Sequence, residues 1–211
     1  MLGIKFKQSL SFKIIFIIII TCITITSIIG LTVYQRVSST IINEKIAISK
    51  VESSNALNVA QSQFNIARFK GDAGLNKAVE DFITKSREDG LISGRETVLL
   101  PISSSNKKIS IFQTVPSLLV LNSIPREFRD EVRNSKDVLE KKVTIYYSNG
   151  KNYPGFLIGG TLNIPKSGAY EIYYLFKLNA QYQSIATIAW TLTLAGFLLV
   201  FLIALSTRFL L

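Results

Sequence analysis

Ile185-Ala-Thr-Ile-Ala-Trp-Thr-Leu-Thr-Leu-Ala-Gly-Phe-Leu-Leu-Val-Phe-Leu-Ile-Ala-Leu205 carries no charged residue along 21 positions. At 1.5 Å per residue such a helix rises about 30 Å, the depth of a bilayer's hydrocarbon core, so the stretch reads as a membrane-spanning helix. Directly ahead of it stands Tyr170-Glu-Ile-Tyr-Tyr-Leu-Phe-Lys-Leu178. Period-two alternation puts Tyr170, Ile172, Tyr174, Phe176 and Leu178 on one face of a strand, opposite Glu171, Tyr173 and Lys177. A folded segment thus hands its last strand to a span within a few residues. Whatever that segment does must leave through the span.

A second apolar run, Ile14 to Val33, lies behind Lys5, Lys7 and Lys13. It is longer than the roughly 7–15 residues of a signal-peptide core, and no A-x-A site closes it. Lipoprotein-type cleavage before Cys22 would follow Thr21, a poor residue there, and would leave the apolar Ile23 to Val33 at the new terminus. The run is expected to be an uncleaved anchor over residues 14–33. Lysines hold their side of a span in the cytoplasm. Residues 1–13 then form a cytoplasmic basic leader, 34–184 one extracytoplasmic domain of ordinary size, 185–205 the second span and 206–211 the start of a cytoplasmic continuation. This is a two-pass plasma-membrane topology with both termini inside.

All 14 acidic residues and 20 of the 24 Lys and Arg fall between the spans, leaving that segment a net +6. The charges of both signs are interspersed and tethered to a membrane, which argues against nucleic acid and for ordinary solubility or attraction to anionic envelope polymers and headgroups. The chain has one cysteine, Cys22, and no histidine. That removes an intrachain disulfide, the usual zinc sites and every Cys-His or Ser-His-Asp mechanism. No cofactor, metal or catalytic residue is expected, and the chain is read as not itself an enzyme.

Leu31 to Lys70 contains neither Gly nor Pro, which permits one helix running out of the membrane. Leu57, Ala60, Phe64 and Ala67 share a face. Gly71 is expected to end that helix, and Asp72 to cap a second one through Leu75, Val79, Phe82 and Ile83 that closes before Gly90. Strands are expected over Thr97–Ile102 and Lys108–Thr114 around a Ser103–Lys107 turn, then a short helix over Arg126–Arg133 behind Pro125. Lys142–Ser148 and Tyr153–Leu162 flank Asn149-Gly150, a strong hairpin signal. The fold class is α+β: two transmembrane helices flanking an extracytoplasmic PAS-like or Cache-like domain with a long N-terminal helix, a second helix and a small antiparallel sheet.

Among candidate constellations, Arg126, Arg129 and Arg133 share a helix face suited to an anion. Asp130 and Asp137 stand four residues after Arg126 and Arg133, so the same face can satisfy itself as a solvated surface. Tyr146, Tyr147, Tyr153, Tyr170, Tyr173 and Tyr174 suit packing better than a ligand cage. Gly159-Gly160 reads as a bulge or turn, since no helix or phosphate-loop Lys-Ser/Thr follows it. Glu80-Asp81 and Glu88-Asp89 point their carboxylates to different helix faces, poor geometry for acid-base work. Thr21, Thr24, Thr26 and Ser27 can bond across helices or back onto their own.

Ile124-Pro-Arg-Glu-Phe-Arg-Asp-Glu-Val132, Pro154-Gly-Phe-Leu-Ile-Gly-Gly160, and Tyr170 to Leu178 with Gln181 to Gln183 leading into the exit span together resemble the sensor region of MtrB-like sensor histidine kinases of actinobacteria. The resemblance covers roughly the last 90 residues and rests on the order and spacing of moderately specific motifs. It implies a HAMP relay, a histidine-bearing dimerisation helix and an ATP-binding domain beyond the span. None of these is in the chain, which ends at Arg208-Phe-Leu-Leu211. Either a larger kinase continues from here or the chain is a shortened relative.

The expectation is therefore the membrane-anchored input module of a two-component sensor histidine kinase, working as a homodimer. The resemblance implies a cognate response regulator, reached through the absent cytoplasmic domains, and an envelope or osmotic signal. An envelope lipoprotein or cell-wall component is a possible external partner. Asn179, Gln181, Gln183 and Ser184 are the expected signal relay, and Ala186, Ala189 and Gly196 the expected helix contacts in the exit span. Competing readings are a two-span structural accessory protein without output and a sensor feeding another receptor class.

Overall fold

The computed structural model describes residues 10–102 and 118–210. The elements run α1 (Leu10–Ala67), a 3-10 turn (Arg68–Lys70), α2 (Gly71–Ser93), β1 (Arg95–Pro101), a second 3-10 turn (Leu121–Ser123) and α3 (Arg126–Asn134). Then follow β2 (Leu139–Tyr146), β3 (Asn152–Ile164), β4 (Gly168–Lys177) and α4 (Asn179–Leu210). The chain is α+β, with one antiparallel sheet in the order β1-β4-β3-β2. It divides into two units, Met1–Ile42 with Gln181–Leu211, and Asn43–Ala180.

The first unit holds helical segments from α1 and α4 that are long and apolar enough to cross a membrane. Thr21 and Thr24 donate to the carbonyls of Ile17 and Ile20 at 2.9 Å, and Thr187 and Thr193 to those of Gln183 and Ala189, at 3.0 and 2.8 Å. These hydroxyls bond back onto their own helices, which satisfies them without a partner from outside the helix. A Cβ on Gly196 would lie 2.9 Å from Thr26 Cγ2, so a residue without a side chain lets the two helices approach at this level.

In the second unit both faces of the sheet are covered. On one face lie Ile158, Leu162, Tyr170, Ile172, Tyr174 and Phe176, all buried, together with the α1 residues Leu57, Ala60, Phe64 and Ala67 and the α2 residues Leu75 and Val79. Phe64 and Phe82 meet edge to face, tying α2 to α1. On the other face Val98, Leu100, Ile145, Leu157, Tyr173 and Leu175 form a cluster with Phe128 and Val132 of α3. The face of β4 that carries Glu171 and Tyr173 is thus a second core face.

Gly159 and Gly160 are neither bulge nor turn. They sit in regular register opposite Tyr173 and Ile172 in the middle of β3. A Cβ on Gly159 would stand 2.6 Å from Val132 Cγ2, and one on Gly160 2.7 Å from Leu57 Cδ1. The pair thins the sheet so that α3 and α1 can press on it from opposite sides.

Beyond Gly159, β3 outruns β2, and Gln61 of α1 takes the vacant edge. Its Nε2 donates to the Asn163 carbonyl at 2.8 Å while its Oε1 accepts from the Asn163 N–H at 2.9 Å, replacing a neighbouring strand.

Several boundaries differ from expectation. Gly71, at φ 78°, opens α2 directly after the 3-10 turn, and Asp72 lies inside the first turn of α2 and is not its cap. Gly90 is internal to α2, which ends at Gly94 in the left-handed conformation that a C-terminal glycine supplies without strain. β1 begins at Arg95 and β2 ends at Tyr146. The Asn149-Gly150 hairpin forms, with Gly150 N–H donating to Tyr147 O at 3.0 Å and Tyr147 N–H to Lys151 O at 2.9 Å. Only Gly150 has positive φ there, so the loop is a turn closed by a left-handed glycine and not a two-residue primed turn. The expected Lys108–Thr114 strand and Ser103–Lys107 turn lie outside the described residues.

The β3–β4 hairpin turns through Ile164-Pro-Lys-Ser167, closed by Ser167 N–H to Ile164 O at 3.0 Å. Pro165 presets the first turn position, and Lys166, at φ 67°, takes the second, where glycine is usual. Its ammonium stands 2.5 Å from Asp72 Oδ1 on α2.

Candidate functional site

Strand β4 lies between β1 and β3 and is the last element before α4, so groups that fix its position are the natural place to look for function. In its middle Glu171 is completely buried. A lone buried carboxylate is prohibitively costly, so it must be matched. Arg129 donates from Nε to Glu171 Oε2 at 2.8 Å and from its terminal nitrogen to Oε1 at 3.3 Å. Arg133, one helical turn on, donates Nε to Oε1. The Tyr173 hydroxyl adds a bond to Oε2 at 2.8 Å.

Burial raises the Glu171 pKa, but the bonds from Arg129, Tyr173 and Arg133 overcome it and hold the carboxyl below its ordinary value. Tyr173 is pushed up by burial and by donating to that carboxylate. The hydrogen bond to Glu171 raises Arg129 further above its already high value.

Helix α3 is thereby locked to β4 through charge as well as through Phe128 and Val132. The arginine face is therefore not the solvated surface expected. Arg129 and Arg133 are spent on an internal carboxylate, Asp130 pairs with Arg133 at 3.3 Å, and Arg126 stays exposed outside the network. The signal was present in the sequence: a glutamate inside an aromatic strand, and two arginines four apart on a short helix.

A second cluster clamps the end of β4. Lys177 Nζ lies 3.1 Å from Glu96 Oε1 of β1, 4.6 Å from the Tyr147 ring centroid and 5.5 Å from that of Tyr153. The two rings meet edge to face at 5.7 Å, and the Tyr147 hydroxyl donates to Glu96 Oε1 at 2.5 Å. Burial, with the bond to Glu96, pushes the Tyr147 pKa up. The ammonium thus sits over two π faces with a carboxylate beside it, an arrangement that favours the cation in one place. Leu178 N–H then donates to Pro154 O at 2.9 Å, pinning the strand's last residue to β3.

Of the other tyrosines, Tyr170 bonds Ser167 at 2.6 Å and Tyr174 is buried with its hydroxyl unpaired beneath the Arg95 guanidinium. Burial raises the Tyr174 pKa to about 12. Packing and ion pairing, not an open cage, account for this group.

Asn179, Gln181, Gln183 and Ser184 all fall within the first turns of α4, which begins at Asn179, only Leu178 separating it from β4. In the first unit Ala189 and Gly196 line a groove of about 540 Å³ together with Thr26, Gly30 and Tyr34 of the same chain, whereas Ala186 is exposed.

Among the described residues no group of His, Cys, Asp or Glu is placed to hold a metal ion. No protein-family model matches the chain, and no curated protein matches it. The two networks fix β4 at Glu171 and at its end, Lys177, and α4 begins one residue beyond the strand.

Proposed function

We propose that the chain is the input module of a membrane receptor, of the sensor histidine kinase type, in which the Asn43–Ala180 domain lies outside the cytoplasm and α4 carries its state inward. The observation that carries this reading is the direct passage of β4 into α4 through the single residue Leu178. β4 is hydrogen-bonded on both sides, ion-paired to α3 through Glu171 and clamped at Lys177. A rearrangement of α3 or the sheet therefore displaces the strand, and a helix starting one residue later moves with it.

A receptor needs two arrangements whose balance a stimulus can shift. The α3 lock and the strand-end clamp are the contacts that differ between them. An envelope component supplies the stimulus, and a response regulator is the downstream partner through kinase domains beyond α4.

Membrane orientation is tested by cysteine labelling in intact cells. Cys22→Ser removes the native thiol, and single cysteines are placed at Asn149, on the exposed hairpin, or appended after Leu211. A membrane-impermeant maleimide should label Asn149→Cys in intact cells and the appended cysteine only after permeabilisation. The reverse pattern overturns the proposal.

A further inference from the structure

We infer that the Asn43–Ala180 unit holds an enclosed binding site for a small uncharged polyol, of ethylene glycol size, between α1 and the face of β4 that carries Tyr174. Five buried polar atoms gather on that side of the sheet: Ser49 Oγ and Ser53 Oγ of α1, Arg95 Nε and Thr97 Oγ1 of β1, and the Tyr174 hydroxyl. None has a hydrogen-bond partner among the described residues. Ser49 and Ser53 are 0 % exposed and Tyr174 1 %. Each such group left unmatched weakens the fold, and buried polar groups are ordinarily matched by the protein or by a bound molecule.

The strand registers bring these atoms together. Glu140, Ile158, Tyr174 and Thr97 stand opposite one another across β2, β3, β4 and β1, so they form one row on one face. Lys50 of α1 reaches Glu140 at 3.0 Å, which places the helix over that row. On one side of it the Lys45 ammonium lies 5.7 Å from the Phe176 ring, and on the other Leu57 lies over Gly160. Between Ile46 and Leu57 the buried residues of α1 are Ser49 and Ser53. Arg95 closes the row from β1, its guanidinium carbon 4.8 Å from the Tyr174 ring centroid.

The chemistry of the groups selects the guest. Thr21 and Thr187 spend their hydroxyls on the carbonyl four residues back, whereas Ser49 and Ser53 do not. Hydroxyls both donate and accept, and Arg95 Nε donates, so the guest must carry acceptors and donors together. The charge of Arg95 is already matched by Asp89 at 3.4 Å, so a buried anion would lack its counter-charge. An uncharged molecule with hydroxyls of its own meets both conditions. Each serine is about two heavy atoms smaller than the Ile46 or Leu57 at the ends of the interval, so the pair gives up about four, the size of ethylene glycol. Because the site is enclosed, the guest enters as α1 lifts from the sheet, and once in place it bridges α1 to β4. The inference concerns the interior of this unit and stands independently of the membrane reading.

The test uses the full chain in phosphatidylcholine nanodiscs free of glycerol, with radiolabelled ethylene glycol in equilibrium dialysis. A guest of about four heavy atoms binds at best at tens of micromolar, so saturable binding with a midpoint of about 0.1–1 mM is expected. Tyr174→Phe and Ser53→Ala should each weaken it at least about fivefold. Tyr146→Phe, whose half-exposed hydroxyl lies outside the site, should leave it unchanged. Without the guest, both site variants should melt at the temperature of the native chain or above it, because each deletes a group that has no protein partner. That separates lost binding from lost fold.

Absence of saturable binding overturns the inference, and so does equal binding by the native chain, Tyr174→Phe and Ser53→Ala. Saturable binding of radiolabelled acetate in place of ethylene glycol also overturns it, since the site would then select an anion. A lower melting temperature in both site variants without the guest would show hydroxyls already paired within the protein, and would overturn it as well.

Discussion

Arg129 Nε and Glu171 Oε2 stand 2.8 Å apart, joining the short helix α3 to a fully buried carboxylate at the centre of strand β4. Arg133 and Tyr173 complete the shell, so the charge is matched on both oxygens. Glu171→Gln keeps the shape and removes the charge, leaving two guanidinium groups facing a neutral amide. Breaking a fully buried pair costs about 3–5 kcal/mol, and here the partly exposed arginines retain some water, so about 2–3 kcal/mol is expected. Arg126→Ala, on the same helix but outside the network, should change stability by less than about 0.5 kcal/mol. Urea unfolding of the detergent-solubilised chain, followed by near-ultraviolet circular dichroism of its tyrosines, checks both.

The same carboxylate sets a pH dependence. Its folded pKa lies below the ordinary value. Its stabilisation is therefore complete above the unfolded pKa of about 4.3, and is lost as pH falls through the lower folded value. The stability difference between the native chain and Glu171→Gln should be constant from neutral pH down to about pH 5, and should shrink only in more acidic solution. A difference that already collapses between pH 7 and 6 would mean that Glu171 is not held as the carboxylate.

The paired glycines of β3 give a graded outcome. At Gly159 a new methyl meets Val132 Cγ2 at 2.6 Å and the Tyr173 ring at 3.0 Å, both packed into the α3 face. At Gly160 it meets Leu57 Cδ1 at 2.7 Å, the end of a flexible side chain. Overpacking a filled core costs about 1–3 kcal/mol. Gly159→Ala should fall toward the upper end and Gly160→Ala toward the lower, as read from urea midpoints.

These glycines also show where sequence reasoning stops. Adjacent glycines after a strand suggest a turn, because backbone freedom is their best-known property. Here their use is the absence of a side chain on both faces, which becomes visible only when α1 and α3 are known to lie on opposite sides. The alternation of Tyr170 to Leu178 correctly placed the α1 face of β4. It put Glu171 and Tyr173 on the opposite face and said nothing of what covers them, because a period-two pattern is silent about a second covering layer. The uninterrupted helix from Leu31 was legible from the lack of Gly and Pro, and the Asn149-Gly150 hairpin from its turn chemistry. The turn at Pro165-Lys166 was not, since lysine seldom takes a positive φ. The arginine network needed Arg129, Arg133 and Glu171 to meet across about 40 residues of chain, a contact that no local pattern specifies.

The central proposal is that a displacement of β4 is carried into α4 across the single residue Leu178. Fusing the chain through Leu211 to the relay and kinase domains of a histidine kinase with a measurable transcriptional output isolates this step. Each alanine inserted after Gln183 turns the rest of α4 by about 100°, so one and two residues displace its face strongly while four return it to within about 40°. At equal membrane levels, output should be locked or inverted with one or two alanines and largely restored with four. A flat response from one to four alanines would contradict the account and make the junction a slack linker.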